Sequence, residues 1–233
     1  MSLSPAQRHN ARVEAERKLQ ARQALSGADS LHIQKAALMK DVERVRSLEV
    51  GAERVAMKRD DLLPRWMPTV EKYLADGQVH QNPILGYCVI WLFDIGEIDA
   101  ALALAEIGIE QGQDTPDNIK RSLAAFVADE VLAWAESHAE CGEAIEPYFS
   151  RTFENVTTRW TLHEKIRAKW FKFAGINLLR DESGRSRVTT VNDAELLGQA
   201  DALFIEAHVL DKKIGVKTMR DQIAARLRKL AKE

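Results

Sequence analysis

Between residues 31 and 60 the apolar positions recur with helical spacing. Leu31, Leu38, Val42, Val45, Leu48, Ala52 and Val55 follow one another mostly at steps of three and four, with charged residues between them. That spacing predicts a helix with one narrow apolar stripe. A stripe of this width suits a coiled coil or a helical hairpin better than the face of a broad core. Asp29 or Ser30 offers an N-cap just after the break SGADS. Upstream, residues 5–25 are rich in Arg, Gln and Ala and poor in large apolar groups, so the segment reads as a weakly anchored arm.

The stripe gives way at LLPRWMP, residues 62–68. Pro64 is compatible with the first turn of a helix. Pro68 removes a further backbone donor four residues later, so the chain is expected to turn here. Trp66 and Met67 then read as an apolar plug at the joint. Beyond it the apolar faces broaden. Residues 82–112 read as two helices around a tight turn at DIGE, the first carrying Tyr87, Trp91 and Phe93 and the second mostly small residues. Amphipathic patterns follow around Leu123, Phe126, Val127, Val131 and Trp134, in TLHEKIRAKWFKFAGINLLRD, and around Leu196, Ala200, Leu203, Phe204 and Ala207. The last, GVKTMRDQIAARLRKLAKE, sets Met219, Ile223, Leu227 and Leu230 on one face and cations on the other.

The pattern therefore predicts an all-α protein: an N-terminal coiled coil or helical hairpin, then a body of antiparallel, tetratricopeptide-like helix pairs. Two regions are expected, residues 1–60 as basic arm and oligomerisation region, and residues 61–233 as helical body with a basic C-terminal helix.

Composition supports helix, because Gly and Pro are sparse, at 12 and 6 of 233 residues. The net charge of −2 hides an uneven distribution. Residues 1–60 carry 12 Lys and Arg against 8 Asp and Glu, residues 61–150 carry 4 against 16, and residues 211–233 carry 8 against 3. Basic ends around an acidic middle suit contact with nucleic acid or an acidic partner through the ends. No run is long and apolar enough to span a bilayer, and residues 1–18 lack a signal-peptide core, so a cytoplasmic protein without membrane contact is expected. Cys88 and Cys141 stand alone and predict neither a disulfide framework nor a thiolate metal site.

Candidate chemistry is sparse. No phosphate-binding glycine loop is present, and the six histidines are scattered without a partner at i+4, so no cofactor, metal site or catalytic residue is predicted. Acidic residues cluster at Asp94, Glu97 and Asp99 and at Asp129, Glu130 and Glu136, where helix capping and solvation account for them without a two-metal site. The basic residues say more. Arg8, His9, Arg12, Arg17, Lys18 and Arg22 crowd the N-terminal arm and are the first candidates for phosphate contact. Arg159, Lys165, Arg167, Lys169 and Lys172 are the second, with Lys165, Lys169 and Lys172 on one helix face and Trp170 turned toward the core. Leu38, Val42, Val45, Ala52 and Val55 are the candidate oligomerisation stripe. Lys217, Arg220 and Arg228 belong to the cationic face of the last helix.

Five segments, SPAQRH (4–9), LLPRWMP (62–68), WLFDIGEIDAALALA (91–105), LLRD (178–181) and GVKTMRDQIAARL (215–227), occur in the order seen in a known family. On them the chain resembles the terminase small subunit of Peduovirus-type tailed phages and prophages, a family often labelled terminase endonuclease subunit. The family's basic C-terminal tail is often longer than the segment here. The resemblance implies a packaging role: recognition of double-stranded viral DNA at the packaging site, assembly with itself, in a ring or another oligomer, and recruitment of a large ATPase and nuclease subunit. It places the protein in the cytoplasm of the bacterial host and implies docking of the large subunit through the C-terminal helix, with Lys217, Arg220 and Arg228 as the docking cations. Two other readings stand beside it: a metal-dependent endonuclease subunit that cuts the packaging site itself, and a helical-repeat scaffold that binds proteins alone.

Overall fold

The computed structural model describes residues 31–232. Among them the regular structure is helical, with one isolated antiparallel bridge between Arg180 and Ser186 and no strand. The protein is all-α. It divides into two compact units, Met1–Gly77 and Gln78–Glu233.

In the N-terminal unit, helix α1 covers residues 31–47 and breaks in a turn at residues 48–51. The single run expected to reach residue 60 is thus two helices. The break is held from both sides. Ser47 Oγ donates to the Arg44 carbonyl at 2.7 Å, and the Arg54 guanidinium donates to the carbonyls of Leu48 and Arg46 at 2.8–3.1 Å, serving oxygens that the end of α1 leaves open. Gly51 crosses the turn at φ 122°. The chain then runs without interruption through α2 (Ala52–Met57), a π turn (Lys58–Leu62) and α3 (Leu63–Asp76).

The turn expected at the two prolines is therefore absent. Pro64 lies in the first turn of α3 and Pro68 inside it. The helix widens just ahead of them, where the Leu63 N–H reaches back to the Lys58 carbonyl. Trp66 does pack inside, but on α1. Arg44 meets Asp61, and Arg65 and Trp66 meet Asp41, so residue numbers fall along α1 as they rise along α3 and the two run antiparallel. Leu38, Val42 and Val45 are buried on α1, as are Leu62, Leu63, Trp66 and Val70 on the returning helix.

The C-terminal unit begins with α4 (Pro83–Asp94), started by Pro83 and by Asn82, whose side chain accepts from the Ile84 N–H at 3.0 Å. It turns at once into α5 (Ile98–Glu110). The two helices approach closely at Gly108, where a Cβ would lie 2.8 Å from Leu85 Cδ2 and 3.0 Å from Leu123 Cδ2. Next come α6 (Leu123–Glu140), capped by Ser122, and α7 (Tyr148–Glu154) with a π turn at Asn155–Arg159. The sequence pattern does not single out α7, which is only seven residues long and lacks a side-chain N-cap.

Helix α8 (Glu164–Leu178) leads through a 3₁₀ turn (Val188–Thr190) to α9 (Ala194–Leu210) and α10 (Lys217–Leu230). The most extensive helix pairing in the unit is that of α8 with α9. At its closest point a Cβ on Gly175 would sit 2.7 Å from the Phe204 ring. Around this contact Leu179, Val188, Leu197, Val216 and Ile223 form a buried cluster. A second focus is aromatic, where Trp170 stacks on Phe149 with centroids 5.4 Å apart and Phe173 meets Phe149 edge-on at 5.2 Å. No helix among the described residues is long and apolar enough to cross a membrane.

Candidate nucleic-acid and partner-binding surfaces

The first basic candidates, Arg8, His9, Arg12, Arg17, Lys18 and Arg22, lie outside the described residues. The second set is placed by α8 and by the π turn before it. His163 caps α8, its Nδ1 accepting from the Lys165 N–H at 3.1 Å, and Lys165 and Lys169 stand exposed one turn apart. Lys172, half-buried, donates to the Ile214 carbonyl at 3.1 Å, which ties α8 to the segment before α10. Arg167 is half-buried on another side. Arg159 is exposed and lies 3.5 Å from the Glu154 carboxylate. Trp170 is fully buried, because its position on α8 faces Phe149 and the core. Lys169 and Lys172 border a cavity of about 400 Å³ whose other walls include Asp129, Glu136, Leu132 and Phe173.

Of the candidate oligomerisation residues, Leu38, Val42 and Val45 are 0%, 5% and 7% exposed. Val55 is half-buried and Ala52 exposed. On α10, Lys217 and Arg228 are exposed, whereas Arg220 is bound to Asp201 of α9 at 2.8 Å. That pairing raises the affinity of Arg220 for its proton.

Two of the candidate acidic residues are paired within the fold. Asp99 lies 3.5 Å from Arg151 and Asp129 pairs with Arg121. Burial pushes the Glu130 carboxyl up against the opposing pull of Arg121. No group of three or more His, Cys, Asp or Glu among the described residues is arranged to hold a metal ion. Burial pushes the Cys88 thiol up to about 12, so it stays protonated and packs as a small apolar group.

Two polar nodes lie outside the candidate sets. Asp41, 3% exposed, accepts from Arg65 at 2.9 and 3.0 Å, from Arg44 at 2.9 Å and from Trp66 Nε1 at 3.0 Å. Burial alone would raise its carboxyl, but these donors outweigh that and hold it below the usual carboxylate range. A signal for it is present in the sequence, since Asp41 sits at stripe spacing from Leu38 and Val45. The second node is Glu106 on α5, which accepts a forked pair from Arg151 at 2.9 and 2.8 Å and a third bond from Asn155 at 2.9 Å. Arg151 first, against burial, holds this carboxyl low as well. It fastens α7 and its π turn to α5, and nothing in the local sequence pairs residues 45 and 49 positions apart.

Comparison with known proteins adds what the geometry cannot. Residues 35–165 match the family described as phage small terminase subunit. A protein of Haemophilus phage HP1 (strain HP1c1), named probable terminase, endonuclease subunit, is 45% identical over 84% of this chain and 70% of its own length. Another, of Escherichia phage P2, named terminase, endonuclease subunit, is 30% identical over 76% of this chain and 72% of its own length. No solved structure matches the chain.

Proposed function

We propose, starting from the fact that this chain belongs to the phage small terminase subunit family, that it serves viral genome packaging. It recognises double-stranded viral DNA at the packaging site and recruits the large ATPase and nuclease subunit, in the cytoplasm of the bacterial host. The family match across residues 35–165 carries this reading. The basic ends around an acidic middle support it, because DNA contact confined to basic segments leaves the acidic body clear of the phosphates.

In this role Arg8, His9, Arg12, Arg17, Lys18 and Arg22 meet the phosphates, and the exposed cations of α8, Lys165 and Lys169, are the second choice. Self-association is expected through residues 30–60. Leu38, Val42 and Val45 are already covered within the chain, so the part of that stripe left for a second copy is Ala52 and Val55. The large subunit docks on α10 through Lys217 and Arg228, and the Asp201 pair holds Arg220 as a positioning residue for that face.

The words endonuclease subunit in the names of both relatives favour a second reading, in which the subunit itself cuts DNA. Incubating the purified chain with packaging-site DNA and magnesium or manganese, with and without the large subunit, separates the two. Binding without cleavage by the chain alone, and cleavage once the large subunit is added, is the expected result. Cleavage by the chain alone selects the second reading. No DNA binding under any condition selects the protein-only scaffold.

A further inference from the structure

Helix α9 is apolar on two sides. One side, Leu197, Ala200, Phe204 and Ala207, is buried within the chain. The other carries Gly198, Ala202, Ile205 and Val209, all exposed, the last two by 39% and 62%. Their steps of four, three and four residues are those of a heptad seam, flanked by the exposed polar residues Gln199 and Glu206.

Gly198 gives an independent indication. Gly108 and Gly175 are explained by side chains that a Cβ would strike, but nothing lies within 4 Å of a Cβ on Gly198. A glycine inside a helix costs stability relative to alanine. Among the described residues nothing compensates that cost, which a closely approaching second backbone would do.

The occupant is identified by charge and size. Glu195 stands exposed on the seam at its N-terminal end, and Lys212 and Lys213 are exposed just past the C-terminal end. We infer that α9 pairs antiparallel with α9 of a second copy of this chain. A two-fold axis between Ala202 and Ile205 sets Gly198 against Val209 and Ala202 against Ile205, and brings the Glu195 end of each helix to the end of the other, where α9 stops at Leu210 and Lys212 and Lys213 follow. Small residues then meet large ones and acid meets base in both halves, as an isologous contact requires. The pairing follows from α9 alone and holds whether or not the chain binds DNA. It is also separate from the association expected of residues 30–60.

Disulfide trapping in the full chain, in a Cys141→Ser background because Cys141 is exposed, tests the register. Chains carrying Gly198→Cys mixed with chains carrying Val209→Cys form a mixed disulfide, whereas Gly198→Cys alone gives no more dimer than the background. Adding Ile205→Glu to both chains lowers the yield of mixed disulfide about tenfold or more, since it buries a charge at the seam. Gly198→Ala raises the thermal midpoint of the dilute chain while weakening its self-association. Equal trapping by Gly198→Cys alone and by the mixed pair overturns the antiparallel register. Absence of trapping overturns the pairing, as does protection of α9 from amide exchange that appears only when the large subunit is added.

Discussion

The two units secure their helices by different means. In the hairpin of α1 and α3 the apolar seam is one or two residues wide, and a buried carboxylate, Asp41, fixes the register by binding Arg44, Arg65 and Trp66 at once. In the C-terminal unit register is set by shape, with Gly175 seated under Phe204 and Gly108 under Leu85. A two-helix element offers too little interlocking surface to exclude neighbouring registers, and a directional polar node supplies the missing specificity. A many-helix body has enough surface to do so by packing.

The difference is breakable in a graded way. Replacing Asp41 by Ala leaves the buried Trp66 Nε1–H without an acceptor and removes the partner of two arginines. Because those arginines can turn to water, no buried charge is left unpaired, and the expected loss is about 3 kcal/mol, the upper end of what one unsatisfied buried donor costs. Amide exchange of α1 and α3 across a denaturant series would report it. Gly175→Ala presses a methyl onto the Phe204 ring and is expected to cost about 2 kcal/mol by overpacking. The loss should appear in the exchange of the C-terminal unit's helices, with little change in α1 and α3.

Acid should separate the units next. The Asp41 carboxyl is held low in the folded chain, so its stabilisation is complete above its unfolded value and disappears as pH falls through the lower, folded one. Glu106 follows the same sign in the other unit, where apolar packing shares the load. The hairpin is therefore expected to lose structure first below about pH 4, the ordinary carboxylate range. Amide exchange resolved by segment would show it. The smallest effect belongs to Arg59→Ala, which breaks an exposed pair with Asp60 and should leave the midpoint within experimental scatter.

Much of this architecture is legible in the residues. The helical class, the tight α4–α5 turn with its large-on-small packing, and the core-facing Trp170 all follow from periodicity and composition. The hairpin's path does not. Proline rules locate where a donor is missing, yet the π turn ahead of Pro64 lets the helix continue through both prolines. The true turn at residues 48–51 rests on Arg54 reaching back to the end of α1, an interaction across six residues that no periodicity encodes. The candidate surfaces are legible only as charge. Burial and bonding distinguish Lys165 and Lys169, which stand exposed, from Lys172 and Arg220, which are bound within the fold.

The central claim, that this chain recognises packaging-site DNA through its basic segments, is tested most directly by equilibrium binding of the full chain to duplex DNA across a salt series. The account predicts tighter binding to the packaging site than to scrambled duplex. It also predicts that log affinity falls linearly with log salt, and that Arg8→Ala, Arg12→Ala and Arg17→Ala together flatten the slope by roughly 0.9 for each phosphate no longer neutralised. Equal affinity for both duplexes, or no binding at the lowest salt, would contradict it.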